Sequence, residues 1–195
     1  MAESALRDAA TLILLRGTGG GWQVLLGRRA AGHRFMPHLL VFPGGAVDGE
    51  DFTAPLAAPL RPEVSARLQR SGDAGLARAL AHAAARELEE ETGLSLGTPP
   101  RLDRLDYLCR AETPPGLPIR FNARFFMANA DHASGILRDS RELEDLAWHD
   151  LGAPWPDDLS TPTRAVLALL RNRAGRPPAP HEAVPVLRLR RWTRE

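Results

Sequence analysis

An acidic cluster closes a segment whose other residues suit a protein core. Arg86-Glu87-Leu88-Glu89-Glu90-Glu91-Thr92-Gly93-Leu94 ends an Ala/Leu-rich run that reads as a helix. Steps of four and three residues trace one face: Leu76, Leu80, Ala83, Glu87, Glu90, Leu94. Glu91 lies one turn from Glu87. Three carboxylates gathered on an inward-leaning face repel one another and resist desolvation. A hard divalent cation, Mg²⁺ or Mn²⁺, removes both problems, because such ions prefer carboxylate oxygen. A metal site of this kind points to phosphate chemistry. The competing reading is a solvated acidic face. It sits poorly with the helix dipole, which disfavours acids at a C-terminal end by roughly a few tenths of a kcal/mol each. A second stripe, Ala77, Ala81, Ala84 and Leu88, offers an alternative core face.

The elements around the cluster have their own logic. Asp73 is placed to cap the start of the helix and Gly93 to end it. Leu39-Leu40-Val41-Phe42 is a short apolar strand, broken sharply by Pro43-Gly44-Gly45. Glycines there let the backbone approach a cation or a phosphate. Upstream, Arg28, Arg29 and Arg34 gather positive charge, and guanidinium forks suit phosphate oxygens. A solvated basic loop is the alternative.

These residues resemble the Nudix hydrolase superfamily. Its signature is Gly, five residues, an acid, seven residues, then Arg-Glu-apolar-any-Glu-Glu-any-Gly-apolar. Phe42-Pro43-Gly44-Gly45 opens the match, and Arg86 to Leu94 fills every fixed position of its end. Asp51 falls at the acid position, with Glu50 one residue early, and both stay candidates. The stretch from Asp51 to Arg86 is about 27 residues longer than the signature, which reads as an insertion over residues 52–72. Residues 25–45 are also similar to the motif of Nudix enzymes that cleave coenzyme A. Leu25, Leu26, Arg29, Ala30, Arg34 and residues 42–45 match with the spacing intact; Gly27 and His38 depart from it. Phe35-Met36-Pro37 and the insertion resemble the peroxisomal-type branch.

The resemblance implies an α/β (α+β) fold, a mixed central β-sheet sandwiched between α-helices. The Nudix domain is expected over residues 1–175, with 176–195 as a tail or docked extension. It implies a Nudix diphosphatase in which Glu87, Glu90 and Glu91, with the Gly45 carbonyl, bind Mg²⁺ or Mn²⁺ while Arg86 orients the glutamates. The cation acidifies water that attacks phosphorus, and one carboxylate accepts the proton. Arg28, Arg29, Arg34, Phe42 and Gly44 are the expected substrate contacts. Glu50, Asp51, Glu142 and Glu144 are candidate auxiliary acids. The expected substrate is coenzyme A or an acyl derivative, giving 3′,5′-ADP and a phosphopantetheine. ADP-ribose, NADH or another nucleotide is the alternative within enzymes, and a non-catalytic nucleotide-binding regulator the alternative outside them.

Length and composition bound the rest. A chain of 195 residues supports one domain with a real core. Its net charge of +1 argues against a general nucleic-acid binder. A single cysteine, Cys109, excludes an internal disulfide and a cysteine-based zinc site, and its place in an alternating strand suggests a buried thiol. With no apolar run of spanning length and no signal peptide, the expectation is a cytoplasmic protein without a membrane partner; a homodimer stays open. Strands are expected at 10–15 and 22–26 (a hairpin), 101–110, 119–127 and 142–148. Short helices are expected over 63–69 and from Ser160-Thr161-Pro162 to about Asn172. Val184 to Glu195 reads as an alternating strand or docked tail. His82 and His132 read as polar surface groups.

Overall fold

The computed structural model describes residues 4–32 and 36–195. Arg34 and Phe35 therefore lie outside the described residues. The chain forms strands β1 (Leu6–Thr18), β2 (Gly21–Arg29), β3 (Leu40–Val41) and β4 (Gly44–Ala46), then helices α1 (Pro62–Leu68) and α2 (Ala74–Thr92). There follow β5 (Leu94–Ser95), β6 (Asp106–Glu112), β7 (Arg120–Asn129), β8 (Ser134–Gly135), β9 (Leu143–Asp150), α3 (Thr161–Arg173), β10 (Pro185–Arg188) and β11 (Arg191–Arg194).

Nine strands make one mixed sheet in the order β11-β10-β6-β7-β1-β2-β3, with β4 also on β1 and β9 also on β2. The centre is the long parallel pairing of β1 with β7, from Leu6↔Arg120 to Leu15↔Asn129. Strand alternation then divides the core in two. Ala10, Leu12 and Leu14 of β1 face α2, packing with Leu80, Ala84 and Leu88. Ile13 and Leu15 point the other way and pack with Val166, Leu167 and Leu170 of α3. The sheet is thus sandwiched between helices, as the fold class requires.

Local sequence explains most boundaries. The Gly19-Gly20 turn joins β1 to β2 in the register Thr18↔Gly21. The Asp73 side chain accepts from the Leu76 N–H at 2.7 Å, and Gly93 ends α2 in the left-handed conformation. Ser160 caps α3 through the Thr163 N–H, with Pro162 in the first turn. Three expectations needed correction. Residues 102–104 form a 3₁₀ turn, so β6 begins only at Asp106. The last segment is a two-strand hairpin rather than a single strand, pairing Pro185↔Arg194 through Arg188↔Arg191. On α2 both stripes are buried, Leu80 and Ala83 as well as Ala77, Ala81, Ala84 and Leu88, and they differ at their acidic ends: Glu91, which extends the second stripe, is buried, whereas Glu90 on the first is exposed. Alanines allow α2 to lie close to the sheet, and this brings Glu91 under it. Cys109 is buried in β6, and burial pushes its thiol pKa up.

Candidate active site

The C-terminal half of α2 and the turn after β3 build one wall of a cavity of about 540 Å³. Glu87, Glu90, Arg86, Gly44, Gly45, Phe42, Arg29 and Glu142 all line it. Backbone proximity is enforced at the two glycines. A side chain at Gly44 would meet the Ala10 carbonyl at 2.5 Å, and one at Gly45 would occupy the space of the Glu87 carboxylate. The Pro-Gly-Gly break thus lets β4 lie against both β1 and α2.

The three glutamates are not equivalent. Glu91 is 3% exposed, and its Oε2 accepts the Gly44 N–H at 2.7 Å. Burial pushes its pKa up to about 8, against the opposing pull of that N–H and Arg29. Glu87 is partly buried, and burial raises it to about 7 despite the adjacent Arg86 guanidinium. The side chain of Glu90 is 58% exposed. The expectation of three carboxylates sharing one buried face is corrected: they form a gradient from core to cavity. Among the described residues, no three His, Cys, Asp or Glu side chains already converge as a metal cage.

Arg86 explains the spread. Its Nη1 lies 2.8 Å from Glu87 Oε1 and 3.0 Å from Glu90 Oε2, so a guanidinium occupies the position of a cation between two acids. Nη2 donates to the Ala46 carbonyl at 3.1 Å. Behind it, Asp51 takes Nε at 3.1 Å and Nη2 at 3.2 Å. Asp51 is 1% exposed and also accepts the Asp48 N–H at 2.8 Å. Burial opposes its ionisation, but Arg86, the Asp48 N–H and His82 outweigh it and hold its pKa below the usual carboxylate range. Glu50 is exposed and takes no part in this pairing.

A divalent cation fits this donor set. Two half- or fully buried carboxylates with raised proton affinity, a third at the cavity mouth and a side-chain-free backbone against Glu87 form an oxygen-rich, electron-rich pocket. Glu87, Glu90, Glu91 and the Gly45 carbonyl could hold such an ion.

The arginines separate. Arg29 lines the cavity, and Glu91, Glu142 and Glu87 oppose the lowering of its pKa by burial. Arg28 points elsewhere, pairing with Asp145 at 3.2 Å and Asp158 at 2.6 Å. Arg34 lies outside the described residues. Phe42 is buried and meets Phe125 edge-on at 6.4 Å. Glu142 reaches the cavity, whereas Glu144 pairs in register with Arg28 outside its lining.

Two features were missed from sequence. His82, expected on the surface, puts Nδ1 2.7 Å from Asp51 Oδ1. The readable signal was its place one helical turn before Arg86. Leu187 and Arg190 of the terminal hairpin also line the cavity, which no local pattern announces.

Fold and site together define a phosphate-anhydride hydrolase with an acidic helix at its centre. Residues 76–176, more than half of the chain, match the NUDIX domain. The chain belongs to the NUDIX family and is a Nudix pyrophosphohydrolase. Members of this family generally need divalent metal ions. A NUDIX hydrolase from Alicyclobacillus acidocaldarius is 26% identical, with a TM-score of 0.64 over 86% of this chain and 91% of that one. A MutT NUDIX hydrolase from Burkholderia pseudomallei shares the fold at 23% identity and TM-score 0.55, over 86% and 99%. So does the NUDIX domain of Shewanella oneidensis NrtR, solved with ADP ribose, at 18% and 0.54, over 87% and 89%. No curated protein sequence matches the chain. No helix among the described residues is long and apolar enough to cross a membrane.

Proposed function

We propose that this enzyme uses Mg²⁺ or Mn²⁺ to cleave the diphosphate of coenzyme A or an acyl derivative, releasing 3′,5′-ADP and a phosphopantetheine. The observation that carries the metal-dependent part is the juxtaposition of Glu87, Glu90 and Gly45 in one cavity wall with Arg29 beside them. The pattern of Leu25, Leu26, Arg29, Ala30 and residues 42–45 supports the substrate. The domain is read as residues 1–175, with 52–72 inserted within the signature and 176–195 docked on it.

When bound, a divalent cation neutralises phosphate charge and acidifies water. Glu87, Glu90 and Glu91 are the side chains that would hold it. The chain's other groups do the positioning. Arg29 offers N–H donors to phosphate oxygens in a site shielded by Phe42 and Phe125. Arg86, anchored from behind by Asp51, keeps Glu87 and Glu90 turned into the cavity. A carboxylate of this cluster accepts the proton that water loses on attacking phosphorus. Helix α2 (Ala74–Thr92) is the element that fixes these distances.

The test is Glu90→Gln assayed on coenzyme A with Mg²⁺ and with Mn²⁺. Turnover should fall by about a hundredfold or more, the scale of losing a group that stabilises transition-state charge. Turnover near the wild-type level would remove Glu90 from the metal site. ADP-ribose is the second reading, because the NrtR domain binds it in the same fold. Product-resolved assays of both compounds separate the two.

A further inference from the structure

The cavity does not end at the acids. One row of the sheet register runs through Ala46 (β4), Ala9 (β1), Ala123 (β7), Ala111 (β6) and Leu187 (β10). All five line the cavity. At the usual strand spacing this row is roughly 19 Å long. The cavity floor therefore extends from beside the glutamates to the terminal hairpin, whose turn contributes Arg190.

The hairpin is fixed there. Arg188 forks onto Glu112 with both contacts at 2.8 Å, and Arg110 pairs with Glu195 and Glu112. These pairs neutralise Glu112, which also lines the cavity. Arg190 differs: among the described residues its side chain makes no hydrogen bond or ion pair. Its turn is a two-residue connection with positive φ at both Leu189 and Arg190, positions that ordinarily favour Asn and Gly. Non-glycine residues persist in such turns where another requirement overrides local preference.

We infer that Arg190 is a specificity residue that binds a phosphate monoester at the far end of the substrate's nucleotide half. This rests on the reading of the cavity as a diphosphate site. The nucleoside lies over the alanine floor between Leu187 and Phe121, and its additional phosphate meets the guanidinium. An acyl chain would use the apolar floor but not the charge. The enzyme thus selects nucleotide diphosphates that carry an extra phosphate on the nucleoside.

The experiment measures binding of 3′,5′-ADP and 5′-AMP to the full chain by calorimetry at fixed ionic strength, for the wild type and Arg190→Asn. Asparagine tolerates the left-handed backbone and removes the charge. The wild type should prefer 3′,5′-ADP by about tenfold or more, the worth of one charged hydrogen bond, and Arg190→Asn should bring the ratio close to one. A wild type without preference, or a variant that keeps it, overturns the assignment. Neither outcome depends on turnover, so the hydrolytic reading stands or falls separately on Glu90→Gln.

Discussion

Arg86 and Asp51 stand 35 positions apart in the chain and meet face to face, with Nε 3.1 Å from Oδ1 and Nη2 3.2 Å from Oδ2. The inserted residues between them loop out and return without disturbing this contact. Arg78, one turn before His82, donates to the Asp51 carbonyl at 2.9 Å and to the Ala54 carbonyl, so the insertion is tied to the same helix. The pair holds the guanidinium whose other side faces Glu87 and Glu90. Asp51→Asn should therefore lower stability by about 2 kcal/mol or more, because it leaves Arg86 short of charge in a half-buried site. Glu50→Gln, at an exposed neighbour, should stay within about 0.5 kcal/mol. Urea denaturation of both variants checks this; equal effects would contradict it.

Proton linkage gives a second prediction. Burial raises Glu87 to about 7 and Glu91 to about 8, above their unfolded value of 4.5. Below that unfolded value both states carry the protons. Between it and the folded values the native state binds more protons than the unfolded one, so stability falls as pH rises. The metal-free protein should lose melting temperature progressively from about pH 5 to pH 8. Mn²⁺ should offset the loss, with a larger stabilising shift at pH 8 than at pH 5.5, because ligation requires deprotonated carboxylates. A metal-induced shift independent of pH would contradict the assignment. Asp51 works in the opposite sense: its depressed pKa contributes stability at neutral pH that disappears as pH falls below about 4.

Gly45→Ala places a methyl group where the Glu87 carboxylate now lies. The carboxylate must swing away, so metal-dependent turnover should drop by about a hundredfold, in line with the cost of small misplacements in a preorganised site. Circular dichroism should remain native, since β4 is short and its pairing to β1 involves the backbone. Unchanged turnover would mean that Glu87 works from another position.

The two adjacent arginines should behave differently. Arg29 lines the cavity, while Arg28 is occupied by Asp145, Asp158 and the His38 carbonyl. Arg29→Ala should raise KM for a diphosphate substrate by about tenfold or more. Arg28→Ala should leave KM within about twofold, because half-exposed ion pairs contribute little. Steady-state kinetics of the two variants on coenzyme A decides it.

The helix that carries the acids was legible because its capping residues Asp73 and Gly93, its period and its acidic end are all local signals. Which glutamate it buries was not, because an Ala-rich helix sinks residues of both stripes into the core and only the sheet beneath decides that Glu91, rather than Glu90, goes under it. The difference between Glu50 and Asp51 was likewise a tertiary matter: only Asp51 reaches Arg86. Arg28 and Arg29 look identical in sequence; strand alternation sends one into the cavity and the other toward Asp158. The row of four alanines and Leu187 from β4 to β10 was invisible, since its members are scattered over residues 9–187 and become neighbours only through strand register.

The central claim is that Glu87, Glu90 and Glu91 hold divalent cations for attack on a diphosphate. Anomalous scattering from a crystal soaked in Mn²⁺ tests it most directly. The account predicts a manganese peak bounded by Glu87, Glu90, Glu91 and the Gly45 carbonyl, with Arg86 displaced from between the acids toward Asp51. A fully soaked crystal with no peak there, and Arg86 still bridging Glu87 and Glu90, would contradict it.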